Sequence, residues 1–330
     1  MTVNESKAEF AISILITVIG GQETMRRCLR ALRPQVQSLA AEIIVPYDEW
    51  AEDIGELKSE FPDVHFPFIN DLGIAANPNV PAHQHRLCDR RRAVGLALAR
   101  GRIIAMTEDQ VVPAENWVSE ILAAHDRLPD AVIGGSIDNV VDQPVHWAAY
   151  YCDHGRYGSP LAETEAEYVS DLNISYKREA IEAVRDVWCE AYSETIVHWA
   201  MRNRGMSLRL DPALKVFKHR PPINYVHSLN ERVEWGRVFA ETRVASIGMW
   251  QRLLLAGMTP ALPILLLLRN LKHMLRQGRT VGQIALMLPL SAGLLSAWSW
   301  GELIGYVLGE PKAEQFKPVA QLNAKASRVE

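Results

Sequence analysis

Between residues 11 and 106, short β-branched apolar runs alternate with stretches of helical spacing, and that alternation leaves few folds open. Residues 11–19 (AISILITVI) form an unbroken apolar run closed by Gly20 and Gly21, the pattern of a strand buried on both faces. Residues 24–39 follow with Met25, Cys28, Leu29 and Leu32 on one helical face. Residues 42–46 (EIIVP) read as a second strand ending at Tyr47 and Asp48, 53–61 as a helix, and 64–69 as a third strand. Residues 90–100 are helical until Gly101 stops them, and 102–106 (RIIAM) give a fourth strand. This order predicts right-handed βαβ units around a parallel sheet, an α/β fold. Ligands gather at the carboxyl ends of such strands, which here fall at 17–21, 46–48 and 107–109. Topology alone therefore predicts a nucleotide site.

Charge and cysteine usage narrow the partners. A net charge of -4 gives no electrostatic reason to bind nucleic acid. Cys28, Cys88, Cys152 and Cys189 lie far apart without CxxC spacing, which argues against zinc or a disulfide framework and for a reducing compartment. Residues 1–9 are polar and carry no apolar signal core, so no export is expected.

The sharpest chemical feature is Thr107-Glu108-Asp109, directly after the RIIAM strand. Two adjacent carboxylates at a strand end are costly unless a cation or donor groups satisfy them. Mg²⁺ or Mn²⁺ bridging such carboxylates to a diphosphate would meet that need and ease departure of the leaving group. A solvated loop with a helix-capping acid is the plainer alternative.

The order AISILITVIGG, EIIVPYD, RRRAVGLALARG, RIIAMTEDQVVP resembles the nucleotide-binding half of family 2 glycosyltransferases of the membrane-associated bacterial type, over about residues 10–240. The resemblance implies a GT-A-like (Rossmann-like) nucleotide-diphospho-sugar transferase domain. Arg92, Gly95, Ala99 and Gly101 match that family's helix motif, and Asp109 matches the second Asp of its Asp-x-Asp. Ala93 departs from the family's Asn and Thr107 from its first Asp. The resemblance further implies that Thr17, Gly20, Asp48, Arg92 and Glu108 contact the nucleotide sugar. It implies that Asp109, Glu108 and His219 hold the metal, and that Arg232 and Arg237 close over the diphosphate.

The second half supplies an acceptor side. Residues 134–139 (GGSIDN) and 171–178 (DLNISYKR) resemble family segments around the donor sugar, and Tyr192-Ser193-Glu194-Thr195 opens a helix before Gly205. Counting back from Gly205, Glu194 takes the place of the family's general base. A helix N-terminus stabilises a carboxylate anion, so Glu194 is expected to be ionised at neutral pH and ready to accept a proton. Capping the helix is the other role open to it.

Beyond Arg252 the apolar density rises, with 253–268 and 281–301 almost free of charge and Arg269, Lys272, His273, Arg276 and Arg279 between them. A transmembrane hairpin, a pair of in-plane helices and a soluble hairpin packed on the catalytic domain all suit this pattern. Trp298, Trp300 and Tyr306 resemble interfacial anchors, and the basic cluster would meet anionic lipid headgroups.

The expected organisation is a catalytic domain at 1–242, a membrane-associated helical region at 243–309 and a polar tail at 310–330. The expected activity is hexosyl transfer, with inversion, from a nucleotide-sugar donor to a lipid-linked or glycan acceptor, as in polysaccharide biosynthesis, at the cytoplasmic face of the inner membrane. A sugar nucleotidyltransferase is the rival enzyme, though Gly20-Gly21-Gln22-Glu23 lacks that class's lysine. A non-catalytic membrane scaffold is the rival outside enzymology, motivated by Thr107 and Ala93.

Overall fold

A computed structural model describes residues 9–72, 81–244 and 247–309, so the expected polar tail lies outside the described residues. The chain runs β1 (Phe10–Thr17), α1 (Gln22–Val36), β2 (Ala41–Ile44), β3 (Tyr47–Asp48), a 3-10 stretch at Glu49–Lys58, β4 (Phe68–Ile69), α2 (Pro81–Leu98) and β5 (Gly101–Glu108). It continues through β6 (Val111–Pro113), α3 (Trp117–Arg127), β7 (Val132–Asn139), α4 (Pro144–Asp153), β8 (Thr164–Glu165) and β9 (Ile174–Lys177). Next come α5 (Arg178–Glu182), α6 (Arg185–Trp188), α7 (Glu194–Asn203), β10 (Leu208–Lys218) and α8 (Tyr225–Val244). The final helices are α9 (Met249–Met258), α10 (Leu262–Arg276) and α11 (Val281–Leu308).

The main sheet has the order β2-β1-β5-β9-β7-β10-β6, with β8 on β10. β1 is parallel to both β2 and β5, and β9 is antiparallel to both its neighbours. The expected α/β architecture with a C-terminal apolar helical region is what the chain adopts. β1 is buried along its length because helices cover both faces, which is why it reads as a continuous apolar run. The chain leaves β1 toward β2 on one side and returns through α2 to β5 on the other. That reversal opens a crevice at the carboxyl ends of β1 and β5.

Two of the motif glycines are explained by contact with β1. A Cβ on Gly95 would stand 2.0 Å from Leu15 Cδ1, and one on Gly101 would stand 2.3 Å from the Ser13 backbone nitrogen. Glycine at the first lets α2 lie close on the sheet, and glycine at the second lets β5 start beside β1. Two local expectations need correction. The helix expected at 53–61 is the 3-10 stretch Glu49–Lys58, and the strand expected at 64–69 shrinks to β4. β4 pairs with β3 in a separate small sheet, because β2 is short and His65 adds only one bridge to Ile44.

The C-terminal region contains two helical stretches, Met249–Arg276 and Val281–Leu308, each 28 residues long with hydropathy 1.6 and 1.5. At 1.5 Å per residue each is ~42 Å long, more than a ~30 Å hydrocarbon core requires. Only 6% of the first apolar stretch is buried inside the protein, against 28% of the second, so neither is an ordinary core helix. The boundary expected at 242 falls within α8, which lies along α11. The crossing is built from glycine: a Cβ on Gly301 would stand 2.0 Å from the Val233 carbonyl oxygen, and one on Gly236 would stand 2.1 Å from that of Trp298. Small residues permit such close helix approach. Gly301→Leu is therefore expected to lower stability by ~1–3 kcal/mol through overpacking. Gly282, with nothing within 4 Å of its Cβ position, should tolerate leucine. Thermal melts of the two variants in one detergent check this.

Candidate active site

A cleft of about 260 Å³ opens at the carboxyl end of β1, between the β1–α1 loop, the 3-10 stretch and α2, lined by Ile19, Gly20, Gly21, Trp50, Asp53 and Arg91 among others. Ligand pockets commonly measure ~300–1,000 Å³, so this cleft suits a nucleoside rather than a whole nucleotide sugar. Trp50 is 46% exposed at its edge. Asp53, an exposed carboxylate that the sequence reading passed over, accepts the Gln22 N–H at 3.2 Å.

Asp48 does not face this cleft as a free acid. It is fully buried, and Arg91 grips it through Nε at 2.6 Å and Nη2 at 2.8 Å. Arg91 also donates to the Val18 carbonyl at 2.8 Å, and Asp48 accepts the Trp50 N–H at 2.9 Å. The expected base-recognition residue is instead a brace that ties α2, β1 and β3 together under the cleft. Gly20 does line the cleft. Thr17 is buried below it, its hydroxyl accepting from Arg92 Nε at 3.2 Å.

The expected metal set does not assemble. Glu108 and Asp109 are consecutive residues at a strand end, and consecutive side chains project to opposite faces. Asp109 points into the β1–α1 loop, where its carboxylate accepts the backbone N–H groups of Ile19, Gly20 and Gly21 and the Thr24 hydroxyl, all at 2.8–3.1 Å. Burial pushes its carboxyl up to about 6 against the pull of those donors, so it is charged at neutral pH with its lone pairs occupied. It serves as the anion at the start of α1. His219 hydrogen-bonds Gln110 through its backbone, and the charge it senses is that of Arg27. Among the described residues no group of three or more His, Cys, Asp or Glu side chains could hold a metal ion. Mg²⁺ is commonly held by only one or two carboxylates together with substrate phosphates, so a diphosphate-bound ion needs no such group; no step below runs through one.

What Glu108 joins instead is a cluster centred on Arg92. The Arg92 guanidinium reaches Glu108 at 3.0 Å, Asp171 at 2.6 Å and Asp89 at 3.3 Å. Lys218 holds the other oxygen of Glu108 at 2.9 Å. Burial alone would raise the Glu108 carboxyl, but Lys218 and Arg92 outweigh it and hold the group below its usual range. Asp89 has only the longer contact with Arg92, and burial pushes it up to about 7. Neither Asp171 nor Lys218 was expected from sequence.

Asp171 connects this cluster to Glu194, the first residue of α7. Its backbone N–H donates to Glu194 Oε2 at 2.8 Å, and the two carboxyls lie close enough to titrate as a pair. Burial, and then the Asp171 charge, raise Glu194 well above the usual carboxylate range. The expectation of an anion held by the helix dipole is thus corrected: a half-exposed surface terminus would behave so, but this one faces another carboxyl in a deep recess. Asp89, Asp153, His154, Asp171 and Glu194 each keep part of their surface open, although atoms surround them closely.

The wall opposite is α8. Arg232 is buried and forms a two-armed pair with Asp153 at the end of α4, which Arg220 also reaches at 3.2 Å. The Arg232 guanidinium lies 4.8 Å from the Trp235 ring, and that ring meets His85 of α2 at 5.0 Å. Arg232 therefore borders the site, already paired. Arg237 does not: it is 41% exposed and pairs along its own helix with Glu234 and Glu241.

Comparison with known proteins adds one direct likeness. No protein-family model matches the chain. A glucosyl-dolichyl phosphate glucuronosyltransferase of Haloferax volcanii is 25% identical over 146 residues, which are 42% of this chain and 43% of that protein. The chain thus spans less than half the length of the curated relative it matches. The mannosyltransferase PcManGT of Pyrobaculum calidifontis, solved with GDP-Man and Mn²⁺, superposes with a TM-score of 0.43 at 12% identity, covering 97% of this chain and 80% of that one.

Proposed function

We propose that this chain is an inverting glycosyltransferase of the GT-A, family 2 kind. It moves a hexosyl group from a nucleotide sugar to a hydroxyl of a lipid-linked glycan at the cytoplasmic membrane face. One observation carries the reading: a cleft of about 260 Å³ at the carboxyl end of β1 is walled by α2, whose Arg91 lines it and whose next residue, Arg92, bonds Asp171, the partner of Glu194. The partial likeness to a transferase named for a dolichyl-phosphate-linked sugar supports the acceptor class, and two long apolar helices beside the site suit a membrane-held substrate.

In this reading the nucleoside occupies the cleft at Gly20 and Trp50, and the diphosphate extends along the carboxyl ends of β1 and β5. The acceptor oxygen forms its bond to the anomeric carbon from the side opposite the diphosphate, whose oxygen–carbon bond breaks. The acceptor proton passes to ionised Glu194, and a nucleoside diphosphate leaves. Burial raises both carboxyls of the pair, Arg92 opposes the rise at Asp171, and the pair releases a proton before the acceptor is activated.

Incubation of the full chain with nucleotide sugars and a lipid-linked glycan should release nucleoside diphosphate. Release of pyrophosphate would indicate the nucleotidyltransferase instead, and absence of any nucleotide binding would leave a scaffold. Trp50→Ala is expected to weaken nucleoside diphosphate binding roughly tenfold, since base stacking on an aromatic is worth ~1–3 kcal/mol. Calorimetric titration checks it, and an unchanged melting temperature would place the loss in the cleft.

A further inference from the structure

Most charged groups around the site are paired, but one basic cluster is not. Arg269, His273 and Arg276 recur on α10 at helical spacing, within ~60° of one another around the helix axis. They occupy the flank between the buried side, marked by Asn270 and Met274, and the exposed apolar side, marked by Ile264, Leu265, Leu268 and Leu275. The turn after α4 brings in a third arginine. Arg276 donates to the Gly158 carbonyl at 3.3 Å and Gln277 to that of Gly155 at 3.4 Å, which fixes α10 against the turn that carries Arg156 and Tyr157. Among the described residues none of Arg156, Arg269 and Arg276 has a carboxylate within ion-pair distance. The charges that act most on His273 are those of Arg276, Arg269, Arg156 and Lys272, all positive. Its Nδ1 is buried and has no partner.

Like charges gathered without a counter-ion raise the free energy of the folded chain unless an anion visits them. Arginine is the side chain suited to grip a phosphate with two arms. The location says which phosphate. Tyr157 is buried, and the charges near enough to act on it include both Arg156 and Arg269 of this cluster and Glu194 and Asp171 of the carboxyl pair. The exposed apolar side of α10 runs away from the cluster in the other direction.

We propose that Arg156, Arg269, His273 and Arg276 form the subsite for the phosphate of a lipid-phosphate-linked acceptor, whose hydrocarbon chain lies along the exposed apolar face of α10. The sugar carried on that phosphate then extends past Tyr157 toward Glu194. The orientation rests on the glycosyltransferase reading, whereas phosphate binding itself does not.

The test uses the full chain in neutral detergent, titrated with a long-chain polyprenyl phosphate, the matching uncharged polyprenol, phosphatidylglycerol and inorganic phosphate. Polyprenyl phosphate is expected to bind saturably and at least about tenfold tighter than the other three. The variant R156Q/R269Q/R276Q should lose that preference by at least about tenfold while binding nucleoside diphosphate as before. The nucleotide titration and a melting curve show that the variant is folded, and R276Q alone should give a smaller loss in the same direction. Unchanged binding of the triple variant overturns the proposal. So does equal affinity for polyprenol, which would mean an apolar groove only, for phosphatidylglycerol, which would mean a general membrane anchor, or for inorganic phosphate, which would mean a site with no lipid preference. Selective lipid-phosphate binding by a chain that binds no nucleotide would support the subsite and sink the transferase reading separately.

Discussion

Replacing Glu194 by glutamine is expected to cut sugar transfer by ~10²–10⁴-fold, the range a positioned general base supplies, and to leave nucleoside diphosphate binding intact. The substitution is close to isosteric for the contacts the resting structure shows. A glutamine amide can still donate to Asp171 and still accept the Asp171 N–H that Glu194 now accepts at 2.8 Å. What it cannot do is take up a proton. The fold should therefore survive, and the sign of the stability change depends on pH. Burial and Asp171 raise the folded-state value of Glu194 above that of the unfolded chain, so folded protein retains a proton that unfolded protein releases. The glutamate's contribution is complete below the unfolded value and is lost as pH rises through the folded one. Glutamine has no such loss. The melting temperature of Glu194→Gln relative to the parent should thus climb as pH rises from below ~4.3, the ordinary glutamate value. In the parent, transfer should increase with pH on a limb displaced upward from the usual carboxylate range. Transfer by the variant at near-parental rate would show that another group takes the proton.

The fold was legible because it is written in local patterns. The run FAISILIT, the spacing of Met25, Cys28, Leu29 and Leu32, and the glycines at 95 and 101 each specify an element without reference to distant residues. The site was legible in part. The resemblance, counted back from Gly205, singles out Glu194, and the helix motif singles out Arg92; the structure joins the two through Asp171. What failed was the side to which strand residues point. Glu108 and Asp109 were read as one acidic unit, although strand alternation sends Glu108 to Arg92 and Lys218 and Asp109 to the loop at Gly20. The same off-by-one error hid Lys218: His219 drew attention as a ligand type, but Lys218 is the neighbour whose side chain reaches the site. Alternation along β10, which buries Leu214, Val216 and Lys218, held the signal. Asp48 was misjudged for a different reason. Its partner Arg91 is distant in sequence, and nothing local distinguishes an acid that faces a ligand from one clasped by an arginine on the next helix.

Removing the cation at the centre of the cluster is expected to have the largest effect on stability. Arg92 is 6% exposed and is the shared partner of Asp89, Glu108 and Asp171. Breaking a buried pair from one side costs ~3–5 kcal/mol, because the charge left behind has no compensation. Arg92→Leu should therefore lower the melting temperature by roughly 4–7 °C in a protein of this size. The loss should not fall equally on the three acids. Glu108 keeps Lys218 at 2.9 Å, whereas Asp171 keeps only the contact with Glu194, and Asp89 is already raised to about 7 by burial. Asp89 and Asp171 should then take up protons in the variant, making the destabilisation smaller at pH 5 than at pH 8. Arg92→Lys should fall between the two, since an ammonium is a single point charge and cannot divide its donors among three carboxylates as the planar fork does. Denaturant melts at both pH values check this order, and a pH-independent loss would mean that Arg92 acts by packing alone. The Asp171–Glu194 pair carries the consequence further. Without Arg92 the proton shared by Asp171 and Glu194 is bound more tightly, so whatever transfer survives in Arg92→Lys should require a higher pH than in the parent.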